Sequence, residues 1–162
     1  MRSDLTAYPP HRLHMERNTP HTVRCVLASP EETPRFLLAR HTHQHQSRIG
    51  KWGLLGGRPT AFESPEQALR RELLQEIGFC PSKLHEIGLY VEDLPPVAGD
   101  RRTHVVYAGV VKDRRCIAIV DADEVSAIRW FSLEELQGIK EEGLLTCGFE
   151  LAAARDASRL LQ

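Results

Sequence analysis

GRPTAFESPEQALRRELLQEIGF, running from Gly57 to Phe79, is the stretch that decides the fold. Its middle is a well-punctuated helix. Ser64 is a strong N-cap, Pro65 suits the first helical position, and Gln67 completes a capping box. Leu69, Leu73 and Ile77 recur every four residues and predict a core-facing stripe. Gly78 predicts a left-handed cap, and Pro81 prevents the helix from resuming. Glu72 and Glu76, four residues apart, share one face, and Gln75 borders it. Within the helix no basic residue stands three or four positions from either glutamate, whereas Glu66 has Arg70. Like charges at this spacing disfavour the helix by only about 0.2–0.5 kcal/mol. Taken alone, the pair is accounted for by a solvated helix face.

The neighbours of the pair change that balance. Gly56 and Gly57 precede the helix in a turn whose backbone carbonyls can come close to an ion. Mg²⁺ takes oxygen ligands and uses one or two carboxylates together with substrate phosphates. Arg71, next to Glu72, could orient it or neutralise part of its charge.

Outward from this helix, β-branched residues in partial alternation predict a strand at Thr22–Ser29, and Arg35–Arg40 reads as a second short strand, joined to it as a hairpin through SPEETP. Further strands are expected at Trp52–Leu55, Leu84–Val91, His104–Val111, Cys116–Val120 and Ala127–Phe131. Ser132-Leu-Glu-Glu135 reads as a second capping box opening a short helix, and Gly148–Leu161 as an amphipathic helix. Strands, a central helix, more strands and a final helix predict a mixed sheet covered by helices.

A chain of 162 residues fits one domain with a full core, and 41% hydrophobic with 27% charged residues is ordinary for a soluble globular protein. Residues 1–20, with Pro9, Pro10 and Pro20, read as an N-terminal arm; residues 21–162 read as a single domain. A net charge of −1 gives no electrostatic reason to expect a nucleic-acid or membrane partner. No apolar run is long enough to span a bilayer, and the N-terminus lacks a signal-peptide core. Cys25, Cys80, Cys116 and Cys147 are scattered, without a Cys-x-x-Cys pair or a histidine at zinc-ligand spacing. They read as reduced, mostly buried thiols of a cytoplasmic protein.

The opening stretch resembles the Nudix box, Gly-x5-Glu-x7-Arg-Glu-U-x-Glu-Glu-x-Gly-U, with U a bulky aliphatic residue. Gly57, Glu63, Arg71, Glu72, Leu73, Glu76 and Gly78 match it. Phe79 replaces the final aliphatic residue, and Gln75 stands where the family has the first glutamate of its Glu-Glu pair. Lys51-Trp-Gly-Leu-Leu-Gly-Gly57 is similar to the family's lead-in, with Leu55 in place of proline. Ile128-Arg-Trp-Phe-Ser-Leu-Glu-Glu-Leu136 is similar to its late strand-to-helix segment, so the resemblance covers roughly residues 21–137.

The resemblance implies an α/β/α sandwich with a mixed β-sheet. It also implies hydrolysis of a nucleoside diphosphate linked to another group, with Mg²⁺, or Mn²⁺, neutralising the diphosphate and helping to generate the attacking hydroxide. It makes Glu72 and Glu76 metal ligands, Glu72 also a base, and Arg71 the residue that orients Glu72. Glu63, Gly57 and Gly78 become supporting residues, and the Gly56 carbonyl a further ligand. Glu124, six residues before Trp130, is the candidate for a carboxylate from outside the box. Gln75 offers an uncharged oxygen and implies weaker binding of a second or third metal. The expected activity is therefore a Nudix pyrophosphohydrolase; the alternative is a nucleotide-binding or regulatory module of the same fold, weakened at Gln75. A homodimer to which the arm contributes is compatible with the resemblance.

Other features carry less. His41, His43 and His45 alternate and could share a side, as a polar loop beside the cleft or as metal ligands. His104 reads as a surface or cross-strand residue, and Trp52 as either a base-stacking or a packing residue. Arg40, Arg48, Arg58, Arg101 and Arg102 are candidate phosphate donors. Pro95, sixteen residues after Phe79, is similar in place to a proline of Nudix enzymes acting on ADP-ribose. This slightly favours ADP-ribose or another nucleotide sugar, with nucleoside triphosphates open.

Overall fold

Alternation along the strands generates the layers. In the computed structural model, which describes residues 21–42, 48–92 and 102–162, strand β1 (His21–Ala28) lies at the centre of the sheet. Val23, Cys25 and Leu27 point to one face, and Val26 and Ala28 to the other. Strand β2 (Phe36–His41) repeats the pattern, with Leu37 and Ala39 on the first face and Phe36 and Leu38 on the second. A period of two thus supplies two separate cores from the same strands.

Strand β3 is Leu55–Gly57, β4 is His85–Val91, β5 is Thr103–Val110 and β6 is Val125–Phe131. Among the described residues these form one six-stranded mixed sheet in the order β4-β5-β1-β2-β6, with β3 also paired to β1. β1 and β5 run parallel, from His21 opposite Thr103 to Ala28 opposite Val110. The expected hairpin of β1 and β2 is present, but its pairing is confined to Leu27–Leu37 and Ala28–Phe36. The first half of β1 pairs instead with β3, Arg24 lying opposite Gly56.

Helix α1 (Pro65–Ile77) covers the first face. Its capping box forms as expected: the Gln67 N–H donates to Ser64 Oγ at 3.1 Å, and the Ser64 N–H donates to Gln67 Oε1 at 2.9 Å. Leu69, Leu73 and Ile77 are fully buried. Gly78 closes the helix at φ 66°, the left-handed region open to glycine. Helices α2 (Leu133–Glu141) and α3 (Glu150–Leu161) cover the opposite side, α3 burying Leu151, Ala153, Ala154 and Ala157. The result is the expected α/β/α sandwich.

Three expectations are corrected. Cys116–Val120 is not a strand: Arg114–Cys116 forms one 3-10 turn, and the following segment packs on the end of α1. There the Val120 N–H donates to the Glu76 carbonyl at 2.9 Å and the Ala118 N–H to that of Ile77 at 3.4 Å. Helix-end carbonyls that lack intrahelical partners thus capture the segment before a sheet neighbour does. His104 is not at the surface; it is buried, and it meets its cross-strand partner Thr22. Of the four cysteines, all free, Cys25 and Cys147 are buried, whereas Cys80 is half-buried and Cys116 exposed. Among the described residues no helix is long and apolar enough to cross a membrane. The arm over 1–20, together with His43, His45, Pro95 and Arg101, lies outside the described residues.

Candidate active site

The end of β3 and the exposed side of α1 meet across a glycine turn that has no room for side chains. At Gly56, with φ 144°, a Cβ would stand 2.0 Å from the Val23 carbonyl oxygen. At Gly57 it would stand 2.5 Å from the Glu72 carboxyl carbon. Glycine at 57 is therefore what lets the carboxylate of α1 lie against the turn.

Arg71 ties the turn to the helix. Its Nε and Nη2 donate to Glu63 at 2.8 and 2.9 Å, and Nη1 donates to Glu72 Oε1 at 2.9 Å. Nη1 also reaches Gln75 Oε1 at 3.2 Å, and Nη2 reaches the Arg58 carbonyl at 3.3 Å. The forked Arg71 contact, with the Thr60 N–H, holds the Glu63 carboxyl down at about 2. Arg71 thus bridges the Glu63 carboxylate of the loop and the Glu72 carboxylate of the helix.

Glu72, Gln75, Glu76 and Glu124 line one cleft of about 340 Å³ with Gly56, Gly57, Arg24, His41, Arg58 and Asp121. Glu76 is only 4% exposed, its Oε2 has no hydrogen-bond partner among the described residues, and the Gly56 N–H donates to its carboxylate. Burial, reinforced by Glu72 and Glu124 and opposed by Arg24, raises its pKa to about 8. An orphaned buried oxygen among other carboxylates fits a hard divalent cation, which prefers all-oxygen donors. Glu124 enters the cleft because the turn Asp121–Glu124 follows directly on the segment bound to the end of α1.

Two cleft residues, Arg24 and Asp121, were not singled out from the sequence as site residues. Arg24 shares the strand parity of Val26 and Ala28, so a charge at an interior position was the available signal. Its Nη1 donates to the Leu54 carbonyl at 3.4 Å. Asp121, three residues before Glu124, had no signal beyond its charge. Of the histidine triplet, His41 ends β2 and lines the cleft. Burial and the neighbouring Arg24 lower its pKa to about 4, so it is neutral at pH 7.

The remaining sequence candidates separate. Trp52 is a packing residue, 7% exposed and edge-on to Phe131 at 5.2 Å. Arg40 lies over the Trp52 ring, Arg48 pairs with Glu92 at 2.6 Å, and Arg102 is exposed, its carbonyl accepting from the Glu92 N–H. Of the five arginines proposed as phosphate donors, Arg58 lines the cleft.

Residues 19–146 match the family model described as the NUDIX domain. The chain is similar to the "Putative 8-oxo-dGTP diphosphatase 3" of Mycobacterium tuberculosis, 34% identical over 109 residues, covering 66% of this chain and 48% of that protein. It thus spans about half the length of this curated relative. A 39-residue match, 51% identical, links 24% of the chain to 25% of the "Oxidized purine nucleoside triphosphate hydrolase" of Danio rerio. In fold it is similar to the NUDIX domain of Shewanella oneidensis NrtR, solved with ADP ribose. The TM-score is 0.69 at 21% identity, over 98% of this chain and 96% of that one. The match over most of the length, on a sandwich whose glycine turn and helix carry the motif residues, shows that the chain belongs to the NUDIX domain family.

Proposed function

We propose that the protein is a divalent-cation-dependent Nudix pyrophosphohydrolase that cleaves the diphosphate linkage of a nucleoside diphosphate derivative. The observation that carries this reading is the buried, unpartnered Glu76 carboxylate oxygen, set in one cleft with Glu72, Glu124 and Asp121. Glu72 and Glu76 would hold the cation, Mg²⁺ or Mn²⁺, and the Gly56 carbonyl, Glu124 and Asp121 would complete the oxygen set. When bound, the cation neutralises diphosphate charge and makes a water more acidic.

The chain's own residues do the rest. Glu72, its carboxylate fixed by Arg71, is oriented to accept a proton from the attacking water. Arg71 is held in turn by Glu63 and keeps that geometry through the reaction. Arg24 and Arg58 present cationic donors to phosphate oxygens from the same cleft. Gln75 contributes an uncharged amide oxygen already shared with Arg71, which favours fewer cations than a glutamate would hold there.

The substrate is a small nucleotide. A purine nucleoside triphosphate is supported by the name of the Mycobacterium tuberculosis relative. ADP-ribose is supported by Pro95. The test is turnover of a panel containing 8-oxo-dGTP and ADP-ribose, with Mg²⁺ or Mn²⁺, by wild type and Glu76→Gln. Hydrolysis abolished by chelator and lost in the variant supports the reading. Full-rate hydrolysis by Glu76→Gln rejects the site, and tight nucleotide binding without turnover favours the binding module.

A further inference from the structure

On the α3 side of the sheet, three side chains from distant parts of the chain, none of them lining the carboxylate cleft, converge. Glu92 follows β4, His104 lies on β5, and Cys147 precedes α3; all three are buried. Glu92 Oε1 is 2.9 Å from His104 Nε2, and Cys147 Sγ is 3.8 Å from the former and 3.9 Å from the latter. Around a tetrahedral zinc ion, such oxygen, nitrogen and sulfur ligands stand about 3.4–3.6 Å apart. The triangle therefore needs shifts of only about half an ångström to take the ion.

The surroundings orient all three ligands. Thr22, the register partner of His104 in the parallel β1–β5 pair, hydrogen-bonds His104 Nδ1 through its hydroxyl and leaves Nε2 toward Glu92 and Cys147. Phe149 packs on the imidazole with ring centres 5.1 Å apart. Arg48 engages Glu92 through Oε2 and leaves Oε1 facing the histidine and the thiol. Beside Cys147 is a cavity of about 10 Å³, room for one water, lined also by Arg24, His41, Phe149 and Glu150. Zinc held by three protein ligands takes a water as its fourth ligand.

We propose that Glu92, His104 and Cys147 form a binding site for one borderline-soft divalent ion of the zinc class, separate from the hard-cation cleft. The sulfur ligand sets the selectivity, since Mg²⁺ takes oxygen donors. Protons balance as follows. The Cys147 thiol proton leaves to solvent as the S–metal bond forms. The imidazole stays neutral, its proton moving from Nε2, where it is donated to Glu92, to Nδ1, where the Thr22 hydroxyl accepts it. Thiolate and carboxylate then neutralise the dication.

The test is titration of the reduced, chelator-stripped full chain with Co²⁺ in excess Mg²⁺, which keeps the carboxylate cleft engaged. One equivalent should bind with thiolate-to-cobalt charge-transfer absorption, release about one proton, and be displaced by Zn²⁺. Cys147→Ser should abolish that absorption. Thr22→Val, which removes only the orienting hydroxyl, should weaken binding by about 10–100-fold. Should Cys147→Ser fail to fold, Glu92→Gln should weaken binding at least tenfold. Absence of the charge-transfer band in the wild type overturns the proposal. So does an unchanged band in Cys147→Ser, or unchanged affinity in Glu92→Gln. None of these readouts depends on the hydrolytic reading.

Discussion

Glu76→Gln should separate stability from function in opposite directions. The Glu76 carboxyl titrates near 8 in the folded protein because it is buried beside Glu72 and Glu124, against an ordinary value of 4.5. Its folded pKa is raised, so between pH 4.5 and 8 the folded protein keeps a proton that the unfolded chain has released. Stability must fall as pH rises through that window, by up to about 1.4 kcal/mol per pH unit. By pH 9 the accumulated penalty is on the order of 3–5 kcal/mol, an upper range because the cleft is open to water on one side. Glutamine has nearly the same shape and never ionises. The metal-free variant should therefore be more stable than wild type at pH 9, and within about 1 kcal/mol of it at pH 5. Mg²⁺ should reverse the order, stabilising the wild type in proportion to its occupancy and the variant much less. Turnover should fall at least about 100-fold, since even groups that merely support a metal ligand are worth 10–100-fold. Thermal or urea unfolding at pH 5, 7 and 9, with chelator and with Mg²⁺, reads the stability arm. A variant less stable than wild type at pH 9 without metal, or one stabilised by Mg²⁺ to the same degree, would refute the reasoning.

Other perturbations test other parts of the site. Arg71→Lys keeps the charge but loses the fork to Glu63 and the bond to Glu72, so turnover should drop about 10–100-fold with the far-UV spectrum unchanged. Gly57→Ala puts a methyl 2.5 Å from the Glu72 carboxyl carbon; the expected result is a weaker apparent affinity for Mg²⁺, measured as the metal dependence of the rate. Gln75→Glu should tighten metal dependence or speed turnover, and unchanged kinetics would remove this position from the ligand set. Ser64→Ala should lower stability by about 0.5–2 kcal/mol through loss of the N-cap bond, in denaturant unfolding, while activity per folded molecule is kept.

Helix α1 was legible almost residue by residue. Its cap, stripe and stop depend on spacings of three and four residues, and these interactions close within one or two turns. The carboxylate face followed from the same spacing, and the resemblance to the motif pointed to Arg71 and Glu63 beside it. The segment Cys116–Val120 was not legible. Its apolar residues fit a strand, but the free carbonyls at the end of α1 offered closer partners, and that competition is settled only in three dimensions. Trp52 and His104 were open for a similar reason: an amphipathic side chain in a strand can face water or core, and the sheet's register decides which.

The sequence by itself determined the central helix, the glycine turn before it and the chemistry of the face they present, because those features are local. The tertiary structure alone decided that Glu76 is buried, that Asp121 and Glu124 join it, and that Arg24 lines the same cleft. It alone brought Glu92, His104 and Cys147 together. The register of β1 against β5 and the docking of α3 set those neighbours, and no short-range spacing encodes a contact between strands and helices so far apart along the chain.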